Sequence, residues 1–139
     1  MNTTSHKILF LWCLYVGFFG LVLSAAAFEL TEAPIHLILS ILNSNPYELD
    51  NNMRFGLGIQ GSLSLALAIF FYAILKAEQH SPLPNSVWRT VLLGLAVWFV
   101  VDGVISYATG YTLNILSNVV ILLWLAWPLW KEGKLGGSG

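Results

Sequence analysis

Four long apolar runs set the limits on what this 139-residue chain can become. They cover about residues 8–28, 55–75, 88–108 and 113–130, and each approaches the roughly 20 residues that an α-helix needs to cross a bilayer. Charge is scarce around them. Only 9% of residues are Asp, Glu, Lys or Arg, against about 25% in a soluble domain. A soluble fold so poor in charge could not cover its own core. The expected fold class is therefore all-α, a polytopic membrane four-helix bundle formed by residues 1–135 as one domain. The closing Gly136-Gly137-Ser138-Gly139 reads as an appended flexible linker.

The first run carries a competing signature. Lys7, the apolar stretch and Ser24-Ala25-Ala26-Ala27 resemble a secretory signal with a small-residue cleavage site. The run exceeds a usual signal core in length, so a retained span is expected.

Orientation follows from the cations. With the N-terminus inside, Lys7, Lys76, Arg89, Lys131 and Lys134 fall on the cytoplasmic side, and only Arg54 falls outside. Trp12, Trp88, Trp127 and Trp130 then mark the inner interface as a belt, with Tyr47, Tyr107 and Tyr111 at the outer one. Both termini are expected in the cytoplasm. No basic block exists, so nucleic acid is not an expected partner. Cys13 is the only cysteine, which excludes an internal disulfide or thiolate cluster.

The connections differ in kind. Residues 77–87 hold Pro82 and Pro84 and read as a short turn, and Thr109-Gly110-Tyr111-Thr112 reads as a tight hairpin between the last two spans. The first loop contains a short amphipathic segment. Thr31 is its expected cap, Pro34 lies in its first turn, and Glu32, His36, Ser40 and Asn43 form a polar stripe that faces water. Asn43-Ser44-Asn45-Pro46 ends it. Too short to span, it is expected to lie in the outer interface or to lid the bundle.

Depth arithmetic points to a polar layer. Asp102 lies six residues inside the third span, about 9 Å from its outer end at 1.5 Å per residue. Gln60, Asn118 and Ser24 fall at a similar level in the other spans, with Asn114 and Ser106 one helical turn from Asn118 and Asp102. Arg54 sits above Gln60 but off its face. An acid at this depth marks a functional site by default. The same residues also serve as interhelical glue. A purely structural network, a ligand or ion site, and proton chemistry thus all remain open.

Other patterns say less. Gly56-Leu57-Gly58-Ile59-Gln60-Gly61 spells a dinucleotide fingerprint inside an apolar span, without the strand it requires. Its better use is packing: Gly58, Ser62 and Ala66 on one helix, and Gly20 and Ser24 on another, form small-residue stripes for internal contacts or a homo-oligomer. Glu29, Glu32 and His36 would align as a weak metal site only if a helix ran through Thr31. No catalytic motif is present, and no cofactor is implied.

Trp98-Phe99-Val100-Val101-Asp102-Gly103, the stretch from Tyr107 to Asn118, Trp127-Pro128-Leu129 and the opening Arg54-Phe55-Gly56 resemble parts of small uncharacterised four-helix bacterial inner-membrane proteins. The resemblance covers about half the chain. It implies the four-span topology, a bacterial source and no assigned activity. The sequence favours a non-enzymatic binding or transport-type bundle that holds a small polar or amphipathic ligand among Asp102, Gln60, Asn114, Asn118, Arg54, Ser24 and Ser106. The alternatives are an accessory, structural or immunity-type subunit, and a membrane-embedded enzyme acting on a lipid.

Overall fold

A computed structural model describes residues 1–42 and 48–136. The helices are α1 (Thr3–Ala25), α2 (Ala33–Leu42), α3 (Asn51–His80), α4 (Asn85–Ala108) and α5 (Thr112–Lys131), with a 3-10 turn at Glu29–Thr31 between the first two. Among the described residues there is no strand. Helices α1, α3, α4 and α5 are each long and apolar enough to cross a membrane.

The helix ends depart from the hydropathy reading. Helix α3 has 30 residues and so extends about 45 Å, beyond the apolar run at both ends. Asp50 starts it, its Oδ1 accepting the Met53 amide at 2.8 Å. At the other end, helix continues through Lys76 and Glu78, because charge ends a hydrophobic run without ending helical hydrogen bonding. Pro82 and Pro84 then separate α3 from α4.

Glycine sets two terminations. After α4, Gly110 takes φ 83° and lets the Tyr111 amide reach the Ser106 carbonyl at 2.8 Å. After α5, Gly133 takes φ 68° and the Lys134 amide reaches the Leu129 carbonyl at 2.9 Å. Both are left-handed caps that satisfy the last carbonyls of a helix, a conformation that a side chain would strain.

The described chain divides into two compact units. One comprises Met1–Trp12 and Ala73–Gly139. Its buried centre includes Leu9, Trp12, Leu75, Trp88, Leu95, Leu125 and Leu129. Trp12 also donates from Nε1 to the Ile121 carbonyl at 3.1 Å, tying α1 to α5. Trp12 and Trp88 are thus core residues, 1% and 0% exposed, and not members of an interfacial belt. Trp127 and Trp130 are exposed, as a belt requires.

The second unit comprises Cys13–Tyr72. Leu23 of α1, Ala26 just past its end, Ile35 of α2 and Leu49 form its buried cluster. Here α1 and α3 approach closely through small residues. A Cβ on Gly20 would lie 2.9 Å from the Gly61 carbonyl oxygen, and one on Gly61 would overlap the backbone N and Oγ of Ser24. Gly58 faces Ala27 and Gly17 faces Ala68 in the same seam. The stripe on α3 therefore runs through Gly58, Gly61 and Ala68. Ser62, expected in it, is exposed and donates to the Ile59 carbonyl.

Thr31 does not cap α2. Its hydroxyl donates back to the Ala25 carbonyl at 2.7 Å, closing the end of α1, and the Glu32 carbonyl accepts the first α2 amides. Ile35 anchors α2 by burial, whereas Leu37 and Ile41 are exposed beside Ser40, so the outward face is mixed and not purely polar. The expected end of this helix at Asn43-Ser44-Asn45-Pro46, the belt residue Tyr47 and the linker residues Gly137-Ser138-Gly139 lie outside the described residues.

Candidate functional site

Asp102 and Ser106 share one face of α4, and Asn114 and Asn118 share one face of α5, each pair being four residues apart. The Gly110 turn folds these two faces against each other. As a result, three donors converge on a single oxygen. Asp102 Oδ2 accepts from Asn118 Nδ2 at 2.5 Å, Asn114 Nδ2 at 2.8 Å and Ser106 Oγ at 3.3 Å. Asn114 Nδ2 also donates to Ser106 Oγ at 2.9 Å, and the Ser117 hydroxyl approaches Asn114 Oδ1 at 3.4 Å. The donors lie deep, with Asn118 3% and Ser106 4% exposed.

The other oxygen differs. Asp102 is half-buried, and its Oδ1 makes no hydrogen bond among the described residues. A Cβ at the neighbouring Gly103 would meet nothing within 4 Å, so the helix surface beside the acid is open. The arrangement is a carboxyl group fixed by one oxygen and free to accept through the other. It can receive a cation or a hydrogen-bond donor without reorganising, because the three donors already orient it.

The remaining expected residues lie elsewhere. Arg54 is taken by acids between α1 and α2: its guanidinium pairs with Glu32 and lies 3.9 Å from Glu29. His36 adds a contact to Glu32 at 3.3 Å. The Arg54 hydrogen bond holds the Glu32 carboxyl below its ordinary range. Glu29 and Glu32 thus face a guanidinium, with His36 on Glu32, and the 3-10 turn at Glu29–Thr31 interrupts the continuous helix that their alignment required. Among the described residues, no group of three or more His, Cys, Asp and Glu could hold a metal ion.

Gln60 is exposed, and its backbone carbonyl accepts from Ser64 Oγ at 2.9 Å. Ser24 packs against Gly61, its Oγ buried without a hydrogen-bond partner.

A second polar cluster escaped the sequence reading. Glu78 is 5% exposed and accepts the Leu83 amide at 2.8 Å and Trp88 Nε1 at 3.1 Å. Lys134 Nζ lies 2.7 Å from its Oε1, and the N-terminal amine 3.6 Å from it. This node joins the end of α3, the loop, the start of α4 and the segment after α5. Only the Gly133 turn brings Lys134 into reach, a signal too local for charge counting to reveal. Nearby, Glu132 accepts from Ser5 Oγ at 2.7 Å and the Asn2 amide at 3.0 Å, and the Ser5 bond holds its carboxyl below the usual range.

Compared with protein-family models, with curated proteins and with solved structures, the chain matches none.

Proposed function

We propose that the chain is a small integral membrane protein of the bacterial inner membrane, with both termini cytoplasmic, serving as a non-enzymatic binding or transport-type bundle. Its site is the Asp102 carboxyl group, and its ligand is a small polar or amphipathic molecule that presents an ammonium or another donor to Oδ1. One observation carries this reading. Three donors converge on Oδ2, while Oδ1 has no hydrogen-bond partner among the described residues, on a half-buried side chain. An acid inside a spanning helix is costly, and a network serving packing alone gains most by satisfying both oxygens.

A second reading keeps the same residues as interhelical glue in an accessory or structural subunit. The deep burial of Asn118 and Ser106 favours it. Thermal denaturation of the wild type and Asp102→Asn in nanodiscs, with a panel of alkylammonium and amino-alcohol probes, separates the two. The binding reading expects at least one probe to raise the wild-type midpoint by several degrees and leave Asp102→Asn unmoved. Equal responses of the two proteins to every probe would leave only the structural role.

A further inference from the structure

Along α5, from two residues past Asn118 to its C-terminal end, the surface carries a groove of about 850 Å³ lined by Ile8 of α1 and by Val120, Leu123, Ala126, Trp127 and Trp130 of α5. Its volume falls in the range of about 300–1,000 Å³ typical of small-molecule sites. Its lining contains no charged side chain. Trp127 and Trp130 are 59% and 65% exposed, with ring centroids 5.5 Å apart. The Trp12 bond to the Ile121 carbonyl and the buried Leu9, Leu125 and Leu129 fix the helices behind it.

The polar end of the groove is cationic. Lys7 precedes Ile8 and Lys131 follows Trp130; both are exposed, and neither makes an ion pair or hydrogen bond among the described residues. Lys134, by contrast, is taken by Glu78. The carboxylate beside Lys131, Glu132, already accepts from Ser5 and Asn2. Two exposed ammonium groups, Lys131 sharing the charge of Glu132 and Lys7 without an ion pair among the described residues, thus adjoin in sequence the residues that line an apolar trough whose indoles suit the bilayer interface.

We propose that this groove is a binding site for an anionic phospholipid of the surrounding bilayer, an acyl chain lying along the tryptophans and the headgroup phosphate resting between Lys7 and Lys131. Charge complementarity selects this occupant. A second copy of the chain docked through the same face by two-fold symmetry would bring like cations together. The inference rests on the membrane reading and is independent of any ligand at Asp102.

The test uses the full chain, purified with mixed phosphatidylglycerol and phosphatidylcholine of identical acyl chains, and measures retained lipid by native mass spectrometry. Each lysine beside an anionic headgroup is worth about a fivefold change in affinity. Phosphatidylglycerol should be retained about tenfold or more over phosphatidylcholine, and the Lys7→Gln/Lys131→Gln double variant should lose that preference with helical content unchanged. Ala126→Trp, which fills the trough, should lose both lipids. Equal retention of the two lipids by the wild type overturns the proposal. So does a preference that survives in the double variant, or a disulfide-linked dimer formed through Trp127→Cys. If Ala126→Trp does not fold, the lysine variant still decides.

Discussion

The convergence of three donors on one oxygen makes an unusual forecast for replacing Asp102. Asparagine can place its carbonyl oxygen where Oδ2 stands and its amide where Oδ1 stands. All three hydrogen bonds, from Asn114, Asn118 and Ser106, then survive. Alanine removes the acceptor and strands donors on residues as buried as Asn118 and Ser106. Hydrogen bonds between membrane helices average about 0.6 kcal/mol each and reach about 1.7. Three of them give roughly 2 kcal/mol for Asp102→Ala, with an upper bound near 5 kcal/mol. For Asp102→Asn the loss should stay below about 1 kcal/mol, since only the charge assistance goes. Reversible unfolding of both variants in mixed micelles, followed by far-ultraviolet circular dichroism, measures the difference. If asparagine costs as much as alanine, both oxygens matter and the asymmetry of the carboxyl group is not the organising feature. If alanine costs nothing, the network does not stabilise the hairpin at all.

Other outcomes follow from particular contacts. Gly61→Ala should destabilise the α1–α3 seam by more than about 1 kcal/mol, because its Cβ would overlap Ser24, whereas Gly103→Ala meets open space and should be neutral or slightly stabilising by helix propensity. Thermal unfolding of the two alanine variants side by side checks this. Glu78→Gln leaves Lys134 buried without its countercharge and should cost about 3–5 kcal/mol, much of it recovered in the Glu78→Gln/Lys134→Gln double variant. A double-mutant cycle reads that coupling. Acid should loosen α2 through Glu32, whose charged and titratable partners among the described residues are Arg54 and His36, with Glu29 sharing Arg54. Because its carboxyl is held below the ordinary value of 4.5, the stabilisation is complete above that pH and disappears as pH falls through the lower folded value. Protection factors across α2, with the intrinsic pH dependence of amide exchange divided out, should therefore be unchanged from pH 7 to 5 and fall only in stronger acid, a dependence that Arg54→Gln abolishes.

Hydropathy makes the four long helices legible, since an apolar run near 20 residues leaves a chain few choices. The Asp102 neighbours on α5 are legible for a different reason. A tight turn fixes the register between α4 and α5, so equal depth on antiparallel neighbours becomes contact. Gln60 shows where that logic stops. Residue counting gives a side chain's level but not its azimuth, and Gln60 points away from the buried side of α3. Arg54 escaped because two acids in the preceding loop compete for it at shorter reach. The Glu78–Lys134 pair joins segments that are distant in the chain, and it depends on a left-handed turn at Gly133 that no charge pattern encodes. Hydropathy understates the length of α3 because charge interrupts a hydrophobic pattern without interrupting a helix.

Asp102 holds one oxygen in three hydrogen bonds and leaves the other without one among the described residues. Reaction of the protein in lipid nanodiscs with the apolar reagent dicyclohexylcarbodiimide, mapped by peptide mass spectrometry, tests it directly. Modification is expected at Asp102, slowed by any probe that stabilises the wild type but not Asp102→Asn, and little at Glu78, whose carboxylate is enclosed by Lys134, Trp88 and Leu83. An Asp102 that stays unmodified under conditions that label Glu78 would contradict it.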